Sequence, residues 1–83
     1  MEEKTILIGG INFGMRQFEV MKVAMTGISR KEMAKALNMP DETLNTHMRY
    51  VFLKTGVGKI TEFINWGHAN GFDSKGSYTP KKD

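Results

Sequence analysis

The side chains with the most specific chemistry to offer sit close together. Asn45 carries an amide that can both donate and accept, Thr46 a hydroxyl beside a methyl, and Arg49 a planar guanidinium. These are groups that match the edges of base pairs: an amide pairs bidentately with adenine, a guanidinium with guanine, and threonine offers its hydroxyl or its methyl. To reach such edges the three would have to stand on one side of a helix slim enough for a groove about 12 Å wide. Arg30, Lys31, Thr43, His47, Tyr50 and Lys54 lie nearby and are suited to phosphate oxygens, which fix register without carrying sequence information. A polar outer face on a helix is also the ordinary solvated side of an amphipathic one, so the chemistry depends on what positions it.

Other chemistries lack their residues. There is no cysteine, which removes disulfides, thiolate metal sites and cysteine nucleophiles. The only histidines are His47 and His68, without acids at ligand spacing from both, so no metal is expected. Serine, histidine and acid do not group into a catalytic set, and Gly9-Gly10 lacks the spacing of a phosphate loop. The expectation is a protein that is not an enzyme and uses no cofactor or small-molecule ligand. The start of the chain fits neither a secretory signal nor a membrane span, and with no cysteine the reading is cytoplasmic. Twelve Lys+Arg against nine Asp+Glu give a net charge of +3, mild enough to permit a polyanionic partner without demanding one. Asp41, Glu42, Arg49 and Lys54 cancel over the segment that holds the candidate bases-facing groups.

The elements that must position these groups follow from periodicity and punctuation. A first helix is expected from Met15 to Thr26, with Met15, Phe18, Met21 and Met25 as its apolar stripe and Gly27 ending it. Ser29 and Glu32 form a capping box that opens a second helix, with Met33, Ala34 and Leu37 inward. It stops at Asn38, a residue that tolerates the left-handed conformation. Met39 and Pro40 make the turn, and proline biases Met39 toward extended backbone. The third helix, about Asp41 to Thr55, places Leu44, Met48, Val51, Phe52 and Thr55 in a core-facing sector of about 100°. Glu42, Asn45, Thr46, Arg49 and Leu53 fall opposite, with His47, Tyr50 and Lys54 on one flank. Gly56 closes it. A fourth helix begins near Lys59, carries Ile60, Phe63, Ile64 and Gly67 on one stripe with Trp66 just off it, and ends at Asn70-Gly71. Of the seven methionines, Met15, Met21, Met25, Met33 and Met48 read as core fillers.

The two ends are less determined. Met1 to Gly14 contains the β-prone run Thr5 to Ile8, Gly9-Gly10 and Ile11 to Phe13, which fits a strand, a hairpin or an extended arm. Such an arm could clamp across a dimer. Asp73 to Asp83 has almost nothing apolar to offset the entropy of ordering, and a flexible, disordered tail is expected. The fold class is therefore all-α: a small four-helix helix-turn-helix domain over residues 15–72, with a short N-terminal arm and a disordered C-terminal tail.

From Phe13 to Phe72 the sequence resembles the LuxR-type, or GerE-type, helix-turn-helix domain of bacterial regulators. The resemblance rests on Arg16-Gln17-Phe18-Glu19-Val20-Met21, then Gly27-Ile28-Ser29-Arg30-Lys31-Glu32-Met33-Ala34, then Leu37-Asn38-Met39 at the turn. It continues through Thr43-Leu44, His47, Phe52-Leu53-Lys54-Thr55-Gly56-Val57 and Trp66. It implies double-stranded DNA as partner, the third helix in the major groove, Asn45, Thr46 and Arg49 as base-reading positions, and phosphate contacts that include Thr43 and Lys54. It also implies a homodimer, with Glu62, Asn65, Trp66 and Ala69 of the fourth helix as candidates for its interface. The chain departs from the family habit in having Asn45 and Leu53 where a basic residue is common, Pro40 for a serine cap, Asn38 for a glycine and Gln17 for an acid. Fewer positive charges on the third helix imply weaker nonspecific attraction to phosphates. The expected function is a stand-alone transcriptional regulator that binds DNA as a dimer. The alternative is a protein-binding module on the same scaffold, pairing with a larger regulator or docking on the transcription machinery.

Overall fold

The computed structural model describes residues 4–80. Two short strands lead into four helices: β1 (Thr5–Ile8), β2 (Ile11–Gly14), α1 (Met15–Ala24), α2 (Arg30–Leu37), α3 (Asp41–Thr55) and α4 (Ile60–Ala69). Of the three readings open for the N-terminal segment, the structure adopts the hairpin. β1 and β2 pair antiparallel with Thr5 opposite Gly14 and Ile8 opposite Ile11. Their two-residue turn is possible because Gly9 and Gly10 take φ of 60° and 80°, the left-handed pair that a tight hairpin turn of right-handed twist requires. Side chains then alternate: Ile8 and Phe13 are buried, while Leu7 faces solvent. The extended N-terminal arm is thereby corrected to a hairpin over residues 5–14; residues 1–3 of that arm lie outside the described residues.

The helix boundaries follow the local signals. The Ser29 side chain accepts a bond from the Glu32 amide at 3.2 Å, and Glu32 Oε1 accepts from the Ser29 amide and hydroxyl. Asn38 stands at φ 52°, the left-handed C-cap that ends α2, and lets Met39 N–H donate back to Ala34 O at 3.0 Å. Gly56, at φ 76°, does the same for α3. α1 ends at Ala24 with Met25 as its cap rather than at Thr26, because the amides of Thr26 and Gly27 bond three residues back, to Val23 O and Ala24 O, and leave the four-residue helical ladder.

Phe13, Phe63, Ile8, Met21, Met33, Leu44, Met48, Val20 and Val51 form the fully buried centre. α1, α2 and α3 pack on one another around it, α4 lies on α3, and the hairpin closes over α1 and α3. Four of the five methionines read as core fillers are buried; Met15 is instead 42% exposed, since it occupies the first position of α1 where the chain turns off the hairpin. At the α1 to α4 seam Met25 lies against Gly67, and a Cβ at Gly67 would overlap the Met25 sulfur.

The flexible tail expected from residue 73 is corrected over residues 73–80. Phe72 and Tyr78 bridge antiparallel, Thr79 N–H donates to Gly71 O at 2.9 Å, and the Asp73 carboxylate accepts from the Lys75 and Ser77 amides. Tyr78 stands edge-on to Phe18 with centroids 5.8 Å apart and also meets Phe72 at 5.0 Å. The buried Gly76, at φ 82°, lies so close to Lys22 O that no side chain fits. One aromatic ring and one close-packed glycine give this polar run something to dock against α1. Residues 81–83 of the expected tail lie outside the described residues. Among those described, no helix is long and apolar enough to cross a membrane.

Candidate nucleic-acid interface

α2 and α3 are joined by three residues, Asn38 to Pro40, and each makes the turn tight for its own reason. Asn38 reverses the helix through its left-handed backbone. Met39 buries its side chain, anchoring the turn in the core. Pro40, extended at φ −63° and ψ 152°, offers its carbonyl to Leu44 N–H and so starts α3 without a side-chain cap. Asp41 and Glu42 in the first turn complement the positive end of the helix dipole.

With Leu44, Met48 and Val51 buried, the opposite side of α3 is fixed as the outer one. Asn45, Thr46 and Arg49 are all exposed there, and so is Leu53 at 72%. The predicted base-reading trio therefore shares one accessible face. Its members differ in how free they are. Thr46 donates its hydroxyl to Glu42 O, one turn back, at 3.0 Å, so its methyl and oxygen lone pairs are what it presents outward. Asn45 Oδ1 accepts from Arg30 Nη1 at 2.7 Å, which leaves its NH2 group and one lone pair for a partner. Arg49 has no side-chain partner among the described residues.

The Arg30 to Asn45 bond is a contact that periodicity did not reveal. Arg30, a phosphate candidate at the start of α2, has its guanidinium against the amide on α3. A shallow groove there is lined by Arg30, Asn45, Arg49 and Leu53. Cationic character missing from the sequence of α3 is supplied across the helix pair. The bond spans 15 residues, so no local signal could have predicted it.

The remaining phosphate candidates divide by location. Lys31 lies beside the α2 to α3 turn, in a groove it shares with Lys35, Asn38, Pro40 and Asp41. Thr43 and Tyr50 are exposed on α3. His47 is half-buried on the flank that faces the hairpin. Lys54, on the same flank, reaches toward the hairpin: its ammonium donates to Asn12 O at 2.9 Å and Gln17 Oε1 at 3.0 Å, and stands 5.4 Å from the centre of the Phe13 ring. Lys54 thus ties α3 to the hairpin and to α1.

On α4, Asn65 and Ala69 are exposed, and Glu62 Oε1 accepts from Gly58 N–H at 2.7 Å, holding the entry to the helix. Trp66 is half-buried, with Phe13 edge-on at 6.0 Å and Phe63 stacked at 5.9 Å. The hairpin thus shares Trp66 with any surface α4 presents. No three of His, Asp and Glu come together as a metal site among the described residues.

A short two-helix unit with an extended reversal between, and a second helix whose polar outer side is open, is a helix-turn-helix domain. The family model for bacterial regulatory proteins of the luxR family matches residues 12–66, more than half of the chain, and the chain belongs to that family. It carries a LuxR-type helix-turn-helix DNA-binding domain, the kind that serves transcription regulation. Among curated proteins and solved structures no match to the chain was found.

Proposed function

We propose that the protein is a sequence-specific transcriptional regulator whose α3 enters the major groove. The observation that carries this reading is the exposed trio Asn45, Thr46 and Arg49 on the outer side of α3, with the Arg30 guanidinium 2.7 Å from the Asn45 amide. In a groove, Arg49 would pair with guanine, Asn45 would offer its amide to adenine, and the Thr46 methyl would suit the methyl of thymine. Lys31, Thr43, Tyr50 and the flank residues His47 and Lys54 would meet the backbone on either side.

The proposed binding form is a homodimer on a two-fold related site, with Glu62, Asn65 and Ala69 of α4 beside Trp66 at the interface. Half-sites would then be centred about 34–36 Å apart, one turn of the duplex. The test is selection of bound fragments from random DNA, followed by variants. Arg49→Ala is expected to cost about 1–3 kcal/mol at one base position and to relax specificity there. Lys31→Ala is expected to weaken all sequences alike. If both bind as the parent does at low salt, the groove assignment is wrong.

A second reading is favoured by one observation, Leu53 standing 72% exposed on the outer face. On that reading the same surface is a protein-binding patch, and a larger regulator or the transcription machinery is the partner. DNA affinity would then be negligible at every salt concentration, and Leu53→Ala would be the damaging change. Phosphate contacts give a steep dependence of binding on salt, which separates the two readings.

A further inference from the structure

A cleft of about 500 Å³ lies where the hairpin, the start of α1 and the inner flank of α3 meet. Among the described residues its charged lining consists of Lys4, Arg16 and Lys54, with His47 beside them and no carboxylate. Three elements from distant parts of the chain deliver these cations to one concavity.

None of the described groups that line the cleft neutralises these charges. Both acceptors of the Lys54 ammonium, Asn12 O and Gln17 Oε1, are uncharged. Arg16 donates Nη2 to Leu37 O at 3.2 Å, a third uncharged acceptor, and its Nη1 pairs with Glu19, outside the cleft lining, at 3.4 Å. Lys4 has no partner among the described residues. α1 adds to the same effect: Gly14 has no side chain with which to cap it, and its first turn holds no acid. His47 Nδ1 is the one buried side-chain nitrogen or oxygen without a hydrogen-bond partner among the described residues, and a buried polar atom left so calls for a partner. The same His47 side chain is among the residues that line the cleft.

Positive groups gathered around a polar hollow are what binds a compact, multiply charged oxyanion. From this geometry we infer that the cleft is a phosphate-binding site. A phosphate oxygen would meet Lys4 and Arg16 from the outer side and His47 from the inner. The inference goes beyond the groove reading, since it assigns the hairpin a binding role and does not require that α3 touch bases. The phosphate could belong to the DNA backbone beside the groove or to a free phosphate, and the test distinguishes the two.

In one arm, the full chain is titrated with inorganic phosphate at constant ionic strength while backbone amides are followed by NMR. The expected result is saturable shifts at Gly14 to Gln17 and His47, weakened several-fold in Lys4→Ala and abolished in Lys4→Glu, with Lys75→Glu, outside the cleft, without effect. Lys4 is exposed and bonded to nothing described, so these variants keep the fold. In the other arm, the salt dependence of DNA binding is compared between the parent and Lys4→Ala. A slope lower by about 0.9 means that the site takes a backbone phosphate. An unchanged slope with the NMR shifts intact means that it takes free phosphate. Scattered shifts indifferent to Lys4→Glu, together with an unchanged slope, overturn the site. If the parent binds no DNA while the cleft still takes phosphate, the groove reading falls and the site stands.

Discussion

The α2 to α3 unit and the two chain ends are held by different means. In the unit, each reversal has a local device: the Ser29 and Glu32 box, left-handed Asn38, extended Pro40 and left-handed Gly56. At the ends, the holding contacts come from far away in sequence. Phe13 reaches Trp66, Tyr78 reaches Phe18, and the Lys54 ammonium reaches Asn12 across 42 residues. Local devices choose a conformation and contribute modestly; distant contacts bury large side chains and carry more of the stability. In so small a domain the hairpin and the C-terminal turn are part of the core rather than ornaments on it.

The sharpest way to break this contrast is Phe13→Ala. Phe13 has no solvent exposure, and its loss is expected to cost about 3–5 kcal/mol, enough to unfold much of a marginal domain. Urea unfolding measures it; a loss under about 1 kcal/mol would make the hairpin an appendage. Next in size is Ser29→Ala in the local unit, expected to cost about 1 kcal/mol through the lost cap, read as a lower melting temperature with the fold retained. A cost equal to that of Phe13→Ala would erase the distinction.

The smallest effect concerns acid. The Ser77 amide chiefly, then the Lys75 amide and charge and the charge of His68, hold the Asp73 carboxyl below its ordinary 3.8, against an opposing effect of desolvation. A depressed carboxyl stabilises the fold above its unfolded value, and the contribution is lost as pH falls through the native one. The turn at residues 73–77 should therefore loosen only below pH 3.8, while the α2 to α3 unit keeps its amide signals. NMR of the Ser77 amide between about pH 5 and 2 follows it. A midpoint at or above 3.8 would show that the carboxylate does not hold the turn.

The same contrast explains what was legible in the sequence. Ser29, Asn38, Gly56 and the stripe Leu44, Met48, Val51 act over one or two turns, so their spacing set α2 and α3 and the outer position of Asn45, Thr46 and Arg49. The hairpin was one of three readings because Gly9-Gly10 permits a tight turn but does not say what its strands lie on. The C-terminal turn was missed because an average over polar residues hid Tyr78 and Gly76, whose worth depends on Phe18 and Lys22. For the same reason the bonds of Lys54 to Asn12 and Gln17 and the Arg30 to Asn45 bond needed coordinates.

The seat of Met25 against Gly67 has a steric corollary. A methyl group on residue 67 and the Met25 thioether would claim the same space, so the long flexible side chain at the end of α1 is matched by the absence of one on α4. Any substitution of Gly67 would have to displace the sulfur, and the junction between these two segments rests on a hydrogen atom standing where a carbon would collide.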